Sequence, residues 1–110
     1  MVVQESARVQ TPSLPATTGQ EVPLYSDLLL HDMGRALDDG VIQGQARGRD
    51  WRTTPLWGLG VQVRCLHDGR ATSLAAAITA HDGEASRSAA AFRQLFPEMK
   101  ARLLAFLRAL

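Results

Sequence analysis

Thr72-Ser73-Leu74-Ala75-Ala76-Ala77-Ile78-Thr79-Ala80-His81-Asp82-Gly83, with the run from Glu84 to Leu110 behind it, is the stretch that decides the fold. Thr72 or Ser73 supplies an N-cap, because a hydroxyl there accepts an orphan N–H of the first helical turn. Leu74, Ala77, Ile78 and His81 fall at i, i+3, i+4 and i+7, one face of a helix that runs up to His81 and stops at Gly83. A second helix places Ala85, Ala89, Phe92 and Phe96 on one stripe, with Arg87 outward. Pro97 opens a third, at a position whose N–H has no helical partner to lose. Its stripe is Met99, Leu103, Phe106, Leu107 and Leu110, and Lys100, Arg102 and Arg108 face water. Burying one large apolar side chain is worth about 1.5–3 kcal/mol, so this stripe requires a partner surface.

Upstream the signals are weaker. Trp51 to Val63 holds both tryptophans and Pro55, and reads as a buried irregular segment with one short helical turn near Leu56. Both indole rings must find cover. Leu37 to Asp50 carries Gly40, Gly44 and Gly48 among charges, which indicates a loop that turns often. In Leu24-Tyr25-Ser26-Asp27-Leu28-Leu29-Leu30-His31-Asp32-Met33-Gly34, Asp27 caps a short helical turn that Gly34 ends. Met1 to Gln20 is rich in Ser, Thr, Pro and Gln without an apolar period, and reads as a tail. No segment alternates convincingly as a strand. The expected architecture is all-α with long loops: a disordered or extended tail over residues 1–23 and a single domain over 24–110.

Composition narrows the function classes. The 110 residues fit one domain. With 12 Lys+Arg against 11 Asp+Glu the net charge is +1, which lacks the basic excess of a nucleic-acid binder. The longest uncharged apolar-leaning run, Thr53 to Val63, is far short of the ~20 residues of a membrane span. Met1-Val2-Val3-Gln4-Glu5 has an acid where a signal peptide needs basic residues, so no export signal is expected. Cys65 is the only cysteine, which excludes an internal disulfide and any Cys-x-x-Cys pair.

Three histidines precede an aspartate: His31-Asp32, His67-Asp68 and His81-Asp82. Imidazole is the commonest metal ligand and a carboxylate can orient it. The spacings match no short zinc signature, and an Asp after a loop His can equally cap a turn. His81 lies on the apolar face of its helix near the C-terminal end. It is either a packed histidine favoured by the helix terminus or an axial ligand entering an apolar cofactor pocket. Met33 and Met99 are possible soft ligands for haem iron; Met99 lies on the core stripe and reads as packing, whereas Met33 stays open beside His31. Cys65 reads as a small buried hydrophobe.

Three stretches in order carry a resemblance. Tyr25-Ser26-Asp27-Leu28-Leu29-Leu30-His31-Asp32-Met33-Gly34, then Trp51-Arg52-Thr53-Thr54-Pro55-Leu56-Trp57-Gly58-Leu59-Gly60, then Leu66-His67-Asp68-Gly69-Arg70-Ala71 with Leu74 to His81, resemble the C-terminal portion of bacterial di-haem oxidoreductases. These are the thiol-oxidoreductase-like relatives of di-haem cytochrome c peroxidases, and the resemblance covers residues 24–110. It implies a cytochrome c-like haem domain, haem c as cofactor, an electron-donor protein as partner and a periplasmic location. It places the distal axial iron ligand at His81. His67 and Arg70 would lie near the haem or its propionates, and Trp51, Arg52, Leu56 and Trp57 would line its pocket. His31 and Met33 belong to the first motif, as further candidate metal ligands without a firm role. The chain departs from the family in one respect: thioether attachment needs Cys-x-x-Cys-His, and this sequence has none. It therefore resembles a piece that begins after the attachment site, half of a haem site and expected to be inactive alone.

Three functions are thus weighed. The first is a haem-binding electron-transfer or peroxidase-like oxidoreductase module. The second is a non-enzymatic helical interaction module that docks through the Met99–Leu110 stripe and depends on Leu103 and Phe106. The third, a metal-dependent phosphohydrolase built on the His-Asp pairs, needs several ligands converging from adjacent helices.

Overall fold

The computed structural model describes residues 6–8 and 21–110. The tail expected over residues 1–23 falls largely outside them. Ser73 is the N-cap of helix α1 (Leu74–Ala80): its hydroxyl oxygen accepts the Ala76 N–H at 3.1 Å. Ser73→Ala is expected to lower stability by about 1 kcal/mol, read as a reduced urea midpoint at unchanged slope. The helix closes one residue earlier than its periodicity suggests. His81 has φ −66° and ψ 130°, so it caps the helix and leads the chain away. A 3-10 turn (Gly83–Ala85) follows and runs directly into α2 (Ser86–Gln94), whose buried side chains are Ala89 and Phe92. Helix α1 packs on α2.

Leu95 and Phe96 are extended, and Pro97 occupies the first turn of α3 (Pro97–Arg108) as expected. That extended link turns Phe96 off the α2 stripe: it is 81% exposed. No residue of α3 is buried, and Met99 and Phe106 remain 48% and 44% exposed. Met99 is therefore not core, contrary to its position on an apolar stripe. Helix α3 is held mainly at its end. The Gly58 N–H donates to the Leu110 carbonyl at 2.8 Å, the 3-10 turn Leu59–Val61 packs on the helix, and Tyr25 meets the Phe106 ring edge-on at 5.8 Å.

The all-α expectation is wrong. Among the described residues two short antiparallel ladders accompany the helices: β1 (Ser6–Arg8) with β2 (Glu21–Pro23), and β3 (Leu30–Asp32) with β4 (Asp50–Arg52). In the second, Leu30 opposes Arg52, His31 opposes Trp51 and Asp32 opposes Asp50. Three-residue strands are too short to display alternation, and the pairing is imposed by the turning loop between them. Like charges directly opposite each other weaken a ladder, and here two arginines from that loop answer them. Arg47 reaches Asp50 at 2.7 Å and Asp32 at 3.0 Å, while Arg49 Nε lies 3.0 Å from Asp32. The Arg47 guanidinium holds the Asp50 carboxyl down to about 2.

The helical turn expected from Asp27 to Gly34 is also absent. Asp27 instead accepts the Leu29 N–H at 2.9 Å in a local turn, with Leu28 at φ +58°, that leads into β3. Gly34, at φ +82°, precedes a 3-10 turn (Arg35–Leu37) instead of ending a helix. The helical turn expected near Leu56 lies at Leu59–Val61. The segment Trp51 to Val63 is not buried: Trp57 is 53% exposed, Val61 85% and Val63 84%. Apolar composition buries a segment only where another layer covers it, and among the described residues none covers Trp57, Val61 or Val63. The core is correspondingly small. Cys65, Ala71 and Ala77 form its centre with Leu59, Leu66 and Leu74 around them, and Met33, Leu37, Ala89 and Phe92 are the other buried apolar residues described.

Candidate functional site

Cys65 and Ala71 exchange backbone hydrogen bonds at 2.8 and 3.3 Å, closing a loop whose tip carries His67, Asp68 and Arg70. Asp68 accepts the Arg70 N–H at 3.1 Å and its Nε–H at 2.5 Å, so the guanidinium holds the Asp68 carboxyl below the usual carboxylate range. Arg70 also donates to the Ala36 carbonyl at 2.7 Å. The His67 ring stacks on Trp51 with centroids 4.0 Å apart and planes at 17°. The Trp51 Nε1–H in turn donates to the Leu37 carbonyl at 2.8 Å. Loop 65–71 is thus fastened to the Arg35–Leu37 turn by one charged arm and one aromatic stack.

Of the six residues expected to line a cofactor pocket, Trp51, His67 and Arg70 come together. Leu56 and Trp57 do not join them. Leu56 N–H bonds the Leu24 carbonyl at 3.2 Å, and Trp57 Nε1–H bonds the Pro23 carbonyl at 2.7 Å, which places both beside the first motif and the end of α3. Arg52, the neighbour of Trp51 in β4, is exposed; adjacent strand residues project from opposite faces.

His81 is half-buried at the end of α1. Its Nδ1 lies 2.6 Å from the Ala77 carbonyl oxygen. A carbonyl only accepts, so Nδ1 carries the proton and Nε2 of the neutral ring keeps its lone pair. Histidine ligands to metals are commonly fixed in this way, through a backbone carbonyl on the other nitrogen.

The residues after His81 lock onto the first motif. Gly83 has φ +57° and a Cβ there would stand 2.2 Å from the Asp32 carbonyl oxygen, so the close approach needs glycine. Glu84 accepts the Asp32 N–H at 3.1 Å through Oε1, and its Oε2 lies 2.8 Å from His31 Nδ1. The other nitrogen, His31 Nε2, lies 2.7 Å from Asp27. With both nitrogens facing carboxylates, His31 has no lone pair to offer a metal, and Met33 is buried at 8% exposure. Glu84 first and Asp27 second raise the His31 pKa above its ordinary 6.5. The stabilisation from this ring is therefore complete below pH 6.5 and fades as pH rises through the raised value. Urea midpoints of the chain should fall across that window relative to His31→Gln, which lacks the titration; parallel pH profiles would contradict the assignment.

Glu84 escaped the sequence reading. Asp27 and His31 are four residues apart, but Glu84 is 53 further on and nothing local links it to them. The same holds for Arg47 and Arg49. These arginines and Arg35 line an open depression of about 540 Å³ with Asp32, Asp82 and Glu84. Its lining is charged, unlike the apolar wall a porphyrin face requires, and it includes neither His81 nor Trp51. Among the described residues no group of three or more His, Cys, Asp or Glu side chains is placed to hold a metal ion. The converging ligands a phosphohydrolase needs are not assembled there.

The described residues form a small mixed domain that carries a histidine with Nδ1 held on the Ala77 carbonyl and a stacked Trp51–His67 pair. A family model described as "Di-haem oxidoreductase, putative peroxidase" matches residues 2–110. The chain belongs to the di-haem oxidoreductase family. The match reaches well beyond the 24–110 span of the three motifs. No curated protein and no solved structure matches the chain. The family implies haem, and the donor chemistry present can be tested against it. His81, with its proton fixed on Nδ1, fits a single axial ligand. Covalent attachment finds no fit in these 110 residues, because Cys65 stands alone and is buried.

Proposed function

We propose that this chain supplies His81 Nε2 as an axial ligand to one haem iron of a di-haem electron-transfer, peroxidase-like oxidoreductase. The observation that carries the reading is the 2.6 Å contact from Nδ1 to the Ala77 carbonyl, which fixes the tautomer a metal binds. The haem, when bound, supplies one-electron chemistry at iron. The protein's part is to hold an imidazole at a set orientation on that iron. With His81 holding it on this side, the haem would serve to relay electrons rather than to bind substrate. The Trp51–His67 stack and Arg70 would line the same haem, Arg70 toward its propionates. A periplasmic setting and an electron-donor protein belong to this reading through the sequence resemblance. No helix among the described residues is long and apolar enough to cross a membrane.

The test is a haemin titration of the purified chain followed by its Soret band. A low-spin, histidine-type spectrum in the wild type that is lost in His81→Ala supports the proposal. Equal binding with the same spectrum in His81→Ala rejects it.

A further inference from the structure

We infer that His31 is a positioning residue: clamped between Asp27 and Glu84, it fixes the Asp82–Glu84 turn and thereby the orientation of the His81 ring. The inference rests on the proposed ligand role of His81 for its functional meaning, though not for its geometry. Carboxylates at 2.7 and 2.8 Å on the two ring nitrogens both require a donor, so the ring is held as imidazolium with two charge-assisted bonds. Glu84 is engaged through both oxygens, one on His31 and one on the Asp32 N–H. Asp82 and Gly83 fit against Gly34 and the Asp32 carbonyl with no room for a further methyl group. Three consecutive residues after His81 are therefore keyed to His31, Asp32 and Gly34 of the first motif.

The position of His81 makes this consequential. It is the C-cap just after α1 and no longer helical, so its backbone is fixed by Ile78 on one side and by this turn on the other: the His81 N–H donates to the Ile78 carbonyl at 3.3 Å. The ring bond to Ala77 depends on that backbone direction. Loosening the turn would let the ring leave Ala77 and exchange tautomers. The charges around the clamp come from every neighbouring segment: Asp27 and Asp32 from the first motif, Arg35 from the 3-10 turn after it, Asp82 and Glu84 from the turn after His81, and Asp50 with Arg47 and Arg49 from the β4 side. The two arginines engage Asp32, and Arg47 also engages Asp50. His31 is thus the cation that Asp27 and Glu84 share.

The experiment is 15N NMR of the haem-free full chain with labelled histidine. In the wild type the His81 signals should report a single tautomer, protonated on Nδ1. In His31→Gln, which cannot bridge two carboxylates as a cation, the expected result is averaging between tautomers and at least a tenfold faster exchange of the Ala85 amide. Asp27→Asn removes one arm only and should give a smaller change in the same direction if His31→Gln fails to fold. An unchanged His81 tautomer in a folded His31→Gln or Asp27→Asn chain overturns the inference. A haemin titration indifferent to His81 would remove the ligand role while leaving this positional result in force, so the two failures are distinguishable.

Discussion

Gly83→Ala is expected to destabilise the chain by about 2–4 kcal/mol. The backbone there has φ +57°, and a side chain in the left-handed region costs roughly 1–2 kcal/mol. The new methyl group would also stand 2.2 Å from the Asp32 carbonyl oxygen and 2.7 Å from the Gly34 nitrogen. Both obstacles are backbone, so neither can rotate away, and forcing extra volume into such a place costs about 1–3 kcal/mol. Against a total stability of about 5–15 kcal/mol for a small domain, that is a large share. The loss should appear in urea denaturation, and it should abolish the His31–Glu84 contact because the turn must lift off β3. A stability within about 0.5 kcal/mol of wild type would show that this close approach does not exist.

Gly60→Ala should act where the Leu59–Val61 turn meets α3. Its Cβ would lie 2.1 Å from the Arg108 carbonyl oxygen and 2.9 Å from the carbonyl carbon. Here the strain has an escape. Helix α3 buries none of its residues, and its C-terminal half is anchored by the Gly58–Leu110 hydrogen bond, the Leu59–Val61 turn and the Tyr25–Phe106 edge contact. Lifting the helix end is cheaper than compressing the contact. The expected result is a global loss of about 1–3 kcal/mol together with selective fraying, seen as faster hydrogen exchange at Ala109 and Leu110 and lost packing of Phe106. Uniform exchange across α1 and α3 would contradict this local response.

Legibility in the sequence followed the range of the interactions. The Ser73 cap, the end of α1 near His81 and Pro97 at the start of α3 were readable because each is settled within one helical turn. So was the turning loop after Leu37, where Asp38 and Asp39 accept the N–H groups of Gly40 and Val41. The β3–β4 ladder was not readable. Its strands are three residues long, and the charges that make Asp32 opposite Asp50 tolerable sit on Arg47 and Arg49, inside a loop that looks irregular. Burial was misjudged for a related reason. Trp51 finds cover from His67, which belongs to another motif, whereas Trp57, Val61 and Val63 meet no second layer among the described residues. In the candidate site, His81 was visible from its own helix. The clamp behind it was not, because His31 and Glu84 meet only in the folded chain.

Iron binding by His81 Nε2 is tested most directly by pulsed EPR of the ferric haem complex. With the chain labelled by 15N only in histidine, a 15N hyperfine coupling of an axial imidazole should appear in the wild type and in His67→Ala, and vanish in His81→Ala. The same coupling persisting in His81→Ala would assign the iron to another residue.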